Sequence, residues 1–231
     1  MKHAPTQEKA ILEFLTGLNP EFRLPRGVSI MNPFQDQTAL KLAKIFYKKF
    51  YSDHDARVMI FGINPGRFGG GITGIPFTDP QKLERCCGIP NEFRKVKELS
   101  ADFIYRMIEA YGGVKMFYRQ FFITAVSPLG FVRDGKNMNY YDDPQLAKSI
   151  AGFATECLRR QIQTIKTGPS CICLGEGKNY KYLSTLNEKH RFFDQIIPLP
   201  HPRWIMQYRR PKIKEYINTY IRQLSIAYSK I

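Results

Sequence analysis

Residues 58–77, V-M-I-F-G-I-N-P-G-R-F-G-G-G-I-T-G-I-P-F, constrain this chain more than any other stretch. The run 58–61 is short and wholly apolar, and it stops at Gly62. A strand with no polar residue on either face belongs inside a parallel sheet that helices cover on both sides. The loop after the strand is rich in glycine, with Gly62, Gly66, Gly69, Gly70, Gly71 and Gly74, and Pro65 and Pro76 stiffen its path. Such a loop exposes backbone N–H groups and lets something flat or anionic come close. Asn64 stands at the mouth of the strand, and Phe68 and Phe77 lie beyond it.

The rest of the chain supplies the helices that this strand requires. Apolar spacing predicts helices over 6–17, 37–51, 94–111, 144–166, 178–190 and 211–228. Further strands are expected at 120–126, 170–174 and 195–199, whereas 19–33 and 129–144 read as irregular. Alternating strands and helices predict a three-layer α/β/α sandwich around a central four-stranded parallel sheet, formed by a single domain over 1–231. Ligands of such sheets lie beyond the carboxyl ends of the strands, which here deliver Asn64, Ser127, Gly175 and His201 to one rim.

Charge narrows the partner. The 231 residues carry 35 lysines and arginines against 20 acids, a net charge of +15, which favours a polyanion and nucleic acid first. None of the five cysteines forms a C-x-x-C, so zinc and iron–sulfur sites are not expected, and neither is any other cofactor. The amino-terminal residues carry no apolar signal region, and no apolar run reaches membrane-spanning length. A soluble, cytoplasmic monomer without a membrane partner is expected.

Two phosphate-loop patterns fall short. Gly69 to Gly74 matches G-x-G-x-x-G after a strand, but the following Ile75-Pro76-Phe77 is a poor helix start. Gly130 to Lys136 begins like G-x-x-x-x-G-K-[ST], but Asn137 replaces the metal-binding hydroxyl. Of the four histidines, His3, His54 and His190 read as surface residues. His201 ends a strand, is followed by Pro202, and shares the rim with the glycine-rich loop.

With these residues in view, the chain resembles the uracil-DNA glycosylases, in particular the bacterial subgroup of the single-strand-selective monofunctional (SMUG) type. Gly62 to Gly66 followed by R-F-G-G-G-I-T-G-I-P-F is similar to that family's first motif, without a gap. His201-Pro202 is similar to its second motif, after which a DNA-inserting loop is expected, and Thr124 to Leu129 to its middle one. The resemblance implies a DNA-repair enzyme of the bacterial cytosol and nucleoid. It would flip a damaged base, uracil or a relative such as hydroxymethyluracil or xanthine, and hydrolyse its N-glycosidic bond to leave an abasic site.

Within that resemblance, Asn64 would hold the attacking water and His201 would donate to O2 of the departing base. Phe77 would stack on the base, Phe68 would shape the wall, and Gly62, Ile63 and Gly66 would bring backbone to it. Arg203, Trp204, Ile205 and Met206 would fill the vacated stack, and Arg67, Arg209 and Arg210 would grip phosphates. Two departures bear on the substrate. Ala125 stands where the family has a base-reading asparagine, which passes that task to backbone groups, Thr124, Ser127, Asn137 or Asn139. Gly70 replaces a methionine that crowds the C5 side of the base. No lysine occupies a motif position, so no Schiff-base lyase step is expected. The rival readings are a non-catalytic nucleic-acid-binding protein on the same fold and a phosphate-binding transferase.

Overall fold

The computed structural model describes residues 5–231; His3 lies outside them. Strands β1 (Val28–Met31), β2 (Arg57–Gly62), β3 (Phe121–Ala125), β4 (Gly130–Arg133), β5 (Lys136–Met138), β6 (Thr167–Leu174) and β7 (Gln195–Leu199) form two sheets. The main sheet has the order β3-β2-β6-β7 and all its pairs are parallel. Every residue of β2 and β3 is buried, as the unbroken apolar runs require.

The helices are α1 (Gln7–Thr16), α2 (Gln37–Tyr51), α3 (Gly70–Thr73), α4 (Pro80–Arg85), α5 (Leu99–Tyr111), α6 (Val114–Gln120), α7 (Pro144–Thr164), α8 (Lys178–His190), α9 (Pro202–Tyr208) and α10 (Ile213–Tyr228). Helix α10 packs on β2 and β6 and joins α5 and α9, while α1 packs with α2 and α7. The result is the expected α/β/α sandwich around four parallel strands. No helix of the described residues is long and apolar enough to cross a membrane.

The structure departs from expectation in several places. Residues 19–33 and 129–144 are not irregular throughout. They contribute β1, β4 and β5, which form a small antiparallel sheet in the order β1-β4-β5. These strands are three or four residues long and only partly apolar, so no periodicity stands out. The helix expected from residue 94 begins at Leu99, because Glu98 is extended and its N–H is held by Asp79 Oδ2 at 3.0 Å. The glycine run also closes one helical turn, α3, which Gly74 stops in the left-handed region at φ 73°.

Arg57 anchors the start of the central strand. Its side chain is fully buried, and both guanidinium ends pair with the Asp53 carboxylate at 2.8 Å. The remaining donors reach the carbonyls of Tyr118 at 2.8 Å, Asp55 at 3.0 Å and Phe50 at 3.2 Å. A buried cation is tolerated only when each donor is matched in this way. Replacing Arg57 with Met leaves these acceptors unpaired, and urea unfolding is expected to show a loss of about 3 kcal/mol.

Candidate active site

The carboxyl ends of β2, β3 and β7 open onto one cavity of about 500 Å³, a size suited to a small ligand. Its wall includes Gly62, Ile63, Asn64, Gly66, Arg67, Phe68, Gly70, Phe77, Asn137, His201 and Arg203. These come from sequence positions up to 141 residues apart and meet because parallel strands end on one side. Lys97 and Lys136 also line it, against Glu98 as the only acid in the wall among the described residues. The rim therefore favours an anionic ligand.

Asn64 is locked in place. Its Nδ2 donates to the Met138 carbonyl at 3.0 Å and the Pro65 carbonyl at 3.3 Å, and its Oδ1 accepts from the Tyr140 N–H at 3.0 Å. A carbonyl oxygen has two lone pairs, so Oδ1 keeps one acceptor site for a water. Phe77 has φ 52°, rare for an aromatic residue. Its ring lies against the backbone of Gly62, where an added Cβ would sit 2.9 Å from Cε2. Only glycine at 62 permits that approach. The Phe77 and His201 rings are 5.9 Å apart, so a flat surface and an imidazole face the same space.

His201 caps the N-terminus of α9 through Nδ1, which accepts from the Arg203 N–H at 3.2 Å. With Nδ1 used as acceptor, the neutral ring carries its proton on Nε2. Burial and then the Arg203 charge lower its pKa from 6.5 to about 4, so the ring is a neutral donor at ordinary pH.

Glu98 is a site residue that the sequence did not reveal. Its carboxyl nests against the glycine-rich loop: a Cβ on Gly69 would lie 1.9 Å from Oε2, and one on Gly66 3.2 Å from Oε1. Oε2 is buried with no hydrogen-bond partner among the described residues. Burial, then repulsion from Asp79, raises the carboxyl from 4.5 to about 7, against an opposing pull from Arg203. Reading residues 94–111 as one helix placed Glu98 inside it; the Asp79 contact that ends the extended segment is tertiary and left no local signal.

Several expected contacts are absent. The Ser127 hydroxyl is fully buried and donates to the Leu129 carbonyl at 2.9 Å, so Ser127 closes a turn and offers nothing to the cavity. The Thr124 hydroxyl is likewise spent on Gln161. Asn139 lines the cavity, but its Nδ2 donates to Asp142 at 3.3 Å. Asn137 also lines it, with Oδ1 accepting from the Arg67 N–H at 3.2 Å, and remains the best placed of the proposed edge readers.

The expected inserting loop after His201-Pro202 is the helix α9. Proline is at home in a first turn, and Pro202, Ile205 and Met206 form its buried face, packed on α5. Ile205 and Met206 are therefore core residues and cannot enter a base stack. Arg203 and Trp204 are on its exposed face, and Arg209, whose guanidinium lies 4.8 Å from the Trp204 ring, and Arg210 are exposed just beyond its end. In the glycine-rich loop, Arg67 lies 4.4 Å from the ring of the exposed Phe68 and donates to the Gly135 carbonyl.

Glu98 and His201 give the site two titrations of opposite sign. Between about pH 4.5 and 7 the folded protein keeps a Glu98 proton that the unfolded chain has released, so stability falls as pH rises through that window. The Glu98→Gln variant is expected to melt above the wild type at pH 8 and level with it near pH 4 (about 0.5 unit below the unfolded pKa), as calorimetry would show. His201 runs the other way: its neutral form stabilises the fold above its unfolded value, and this contribution is lost as pH falls from 6.5 towards 4. Imidazole NMR shifts should give a His201 midpoint near 4, with Nε2 protonated above it.

Comparison with known proteins gives the family. The sequence profile of the uracil DNA glycosylase superfamily matches residues 48–225. The crystal structure of wild-type SMUG2 from Pedobacter heparinus superposes with a TM-score of 0.93 at 42% identity, covering 96% of this chain and 97% of that one. No curated protein sequence matches the chain. With the profile spanning the main sheet and the rim that holds Asn64 and His201, the chain belongs to the uracil DNA glycosylase superfamily.

Proposed function

We propose that the protein is a monofunctional DNA glycosylase that hydrolyses the N-glycosidic bond of a flipped uracil or related deaminated base. The observation that carries this reading is the meeting of Asn64, Phe77 and His201 in one cavity, with a fixed amide, a flat ring and a neutral imidazole donor. In the proposed reaction the base stacks on Phe77 and His201 Nε2–H points at its O2. The C1′–N bond breaks with its electron pair going to the base, and the hydrogen bond from His201 stabilises the resulting anion.

Water held on Asn64 Oδ1 then bonds to C1′ of the cationic sugar. Its proton is lost to solvent, and the base leaves protonated. An amide is a weak base, but an oxocarbenium-like sugar needs only a placed nucleophile. No lysine need form a Schiff base, so the product is an intact abasic site. Arg67 and Arg203 at the cavity, with the exposed Arg209 and Arg210, supply charge for the DNA backbone.

Base choice depends on Ala125 and Gly70. Both line the cavity wall without a large side chain. The proposal therefore extends to bases bulkier than uracil, such as hydroxymethyluracil and xanthine.

Oligonucleotides bearing single uracil, hydroxymethyluracil, hypoxanthine or xanthine residues, treated with enzyme and then alkali, test the reading. Asn64→Ala and His201→Ala are each expected to lose about 100-fold or more in single-turnover excision while still binding DNA. Undiminished excision by either variant would remove that residue from the mechanism, and no excision of any base by the wild type would overturn the proposal.

A further inference from the structure

A water-placing amide is useful only if it cannot rotate, and the bonds that hold Asn64 come from the backbone of residues 138–140, next to β5. That segment leaves a three-residue edge strand and would be mobile without an anchor. The anchor is Tyr140. Its ring is fully buried against Tyr141 and Tyr182, with centroids 5.0 Å away in each case. Its hydroxyl donates to Asn179 Oδ1 at 2.9 Å.

Asn179 sits in the first turn of α8 and is 1% exposed. Its Nδ2 donates to the Leu174 carbonyl at 3.0 Å, at the end of β6, and to the Gly62 carbonyl at 3.4 Å, at the end of β2. One buried amide thus joins the ends of two strands to the segment that grips Asn64. Neither Asn179 nor Tyr140 lines the cavity.

We propose that Asn179 and the Tyr140 hydroxyl are positioning residues, a buried relay that fixes the orientation of the Asn64 amide relative to the end of β2. The role of Asn64 as a water holder rests on the glycosylase reading; the mechanical coupling does not. Asn179 accepts from Tyr140 and shares its nitrogen among the Leu174 and Gly62 carbonyls and the Cys173 sulfur at 3.4 Å, and a buried network of this kind keeps one geometry only while every member is paired. Losing the Tyr140 hydroxyl frees the 138–140 backbone to shift, and an error of about 1 Å in a reacting group is enough to slow a reaction about 100-fold.

The test uses Tyr140→Phe, which keeps the ring and its packing, and Asn179→Asp, which keeps the acceptor for Tyr140 but loses the Nδ2 donors. Expected results are a fall of about tenfold in single-turnover excision of uracil for each, with the dissociation constant for the same oligonucleotide within about twofold of wild type. In an Asn64→Ala background the same changes should add less than about twofold, because the group they position is gone. Side-chain amide exchange of Asn64, followed by NMR, should be faster in Tyr140→Phe than in the wild type.

Losses that add fully to that of Asn64→Ala would overturn the inference, since a general structural defect acts whether or not Asn64 is present. Unchanged Asn64 exchange in Tyr140→Phe would also overturn it. If the wild type excises no base, the glycosylase reading fails instead, and the exchange comparison alone decides whether the relay holds Asn64.

Discussion

Strand β2 is buried along its whole length between β3 and β6, and the rest of the molecule answers to that fact. A backbone enclosed on both faces must satisfy its polar groups through the ladder, which forces neighbours on both edges and helices above and below. It also forces a matched set of partners on Arg57, the one charged residue in the strand. Where the ladder ends, at Gly62, the chain leaves the core with little freedom. The stretch that carries Asn64 and Phe77 is thereby aimed at the space beyond the sheet.

Two kinds of restraint then shape the cavity. One is steric: the ring of Phe77 occupies the place of a Gly62 side chain, and the Glu98 carboxyl occupies that of Gly69. The other is polar: Asn64 is gripped by the backbone next to β5, and His201 is turned by its own cap contact with Arg203. The small antiparallel sheet has its function here. Its hairpin brings Asn137 and Met138 to the glycine-rich loop, so a part of the chain outside the main sheet sets the orientation of a residue at the sheet's centre.

Electrostatics divides the same site by depth. The outer rim is cationic through Arg67, Lys97, Lys136 and Arg203, while burial holds His201 neutral and favours protonated Glu98 near neutral pH. A polyanion is drawn to the cationic rim, while the imidazole at the bottom carries no charge. For the proposed reaction, which separates charge into a sugar cation and a base anion, directed dipoles serve better than one full charge.

Much of this was legible in the residues. The apolar run into Gly62, the order of strands and helices, and the meeting of Asn64 and His201 on one rim derive from local pattern and from the rule that parallel strands end on one side, while Phe77 entered through the family resemblance. What the pattern misjudged were features whose cause is distant in sequence. The segment after Pro202 had the i, i+3, i+4 spacing of a helix, yet only its packing on α5 shows that Ile205 and Met206 are core residues. Ser127 looked like a free hydroxyl until the Leu129 carbonyl took it. Glu98, Tyr140 and Asn179 carried no motif, because a buried side chain acquires its role from partners tens of residues away. Sequence by itself determined the sheet and the chemistry at its strand ends, since these depend on burial and residue type. Only the tertiary structure decided which polar groups remain available there, since availability is what is left after every buried donor and acceptor has found a partner.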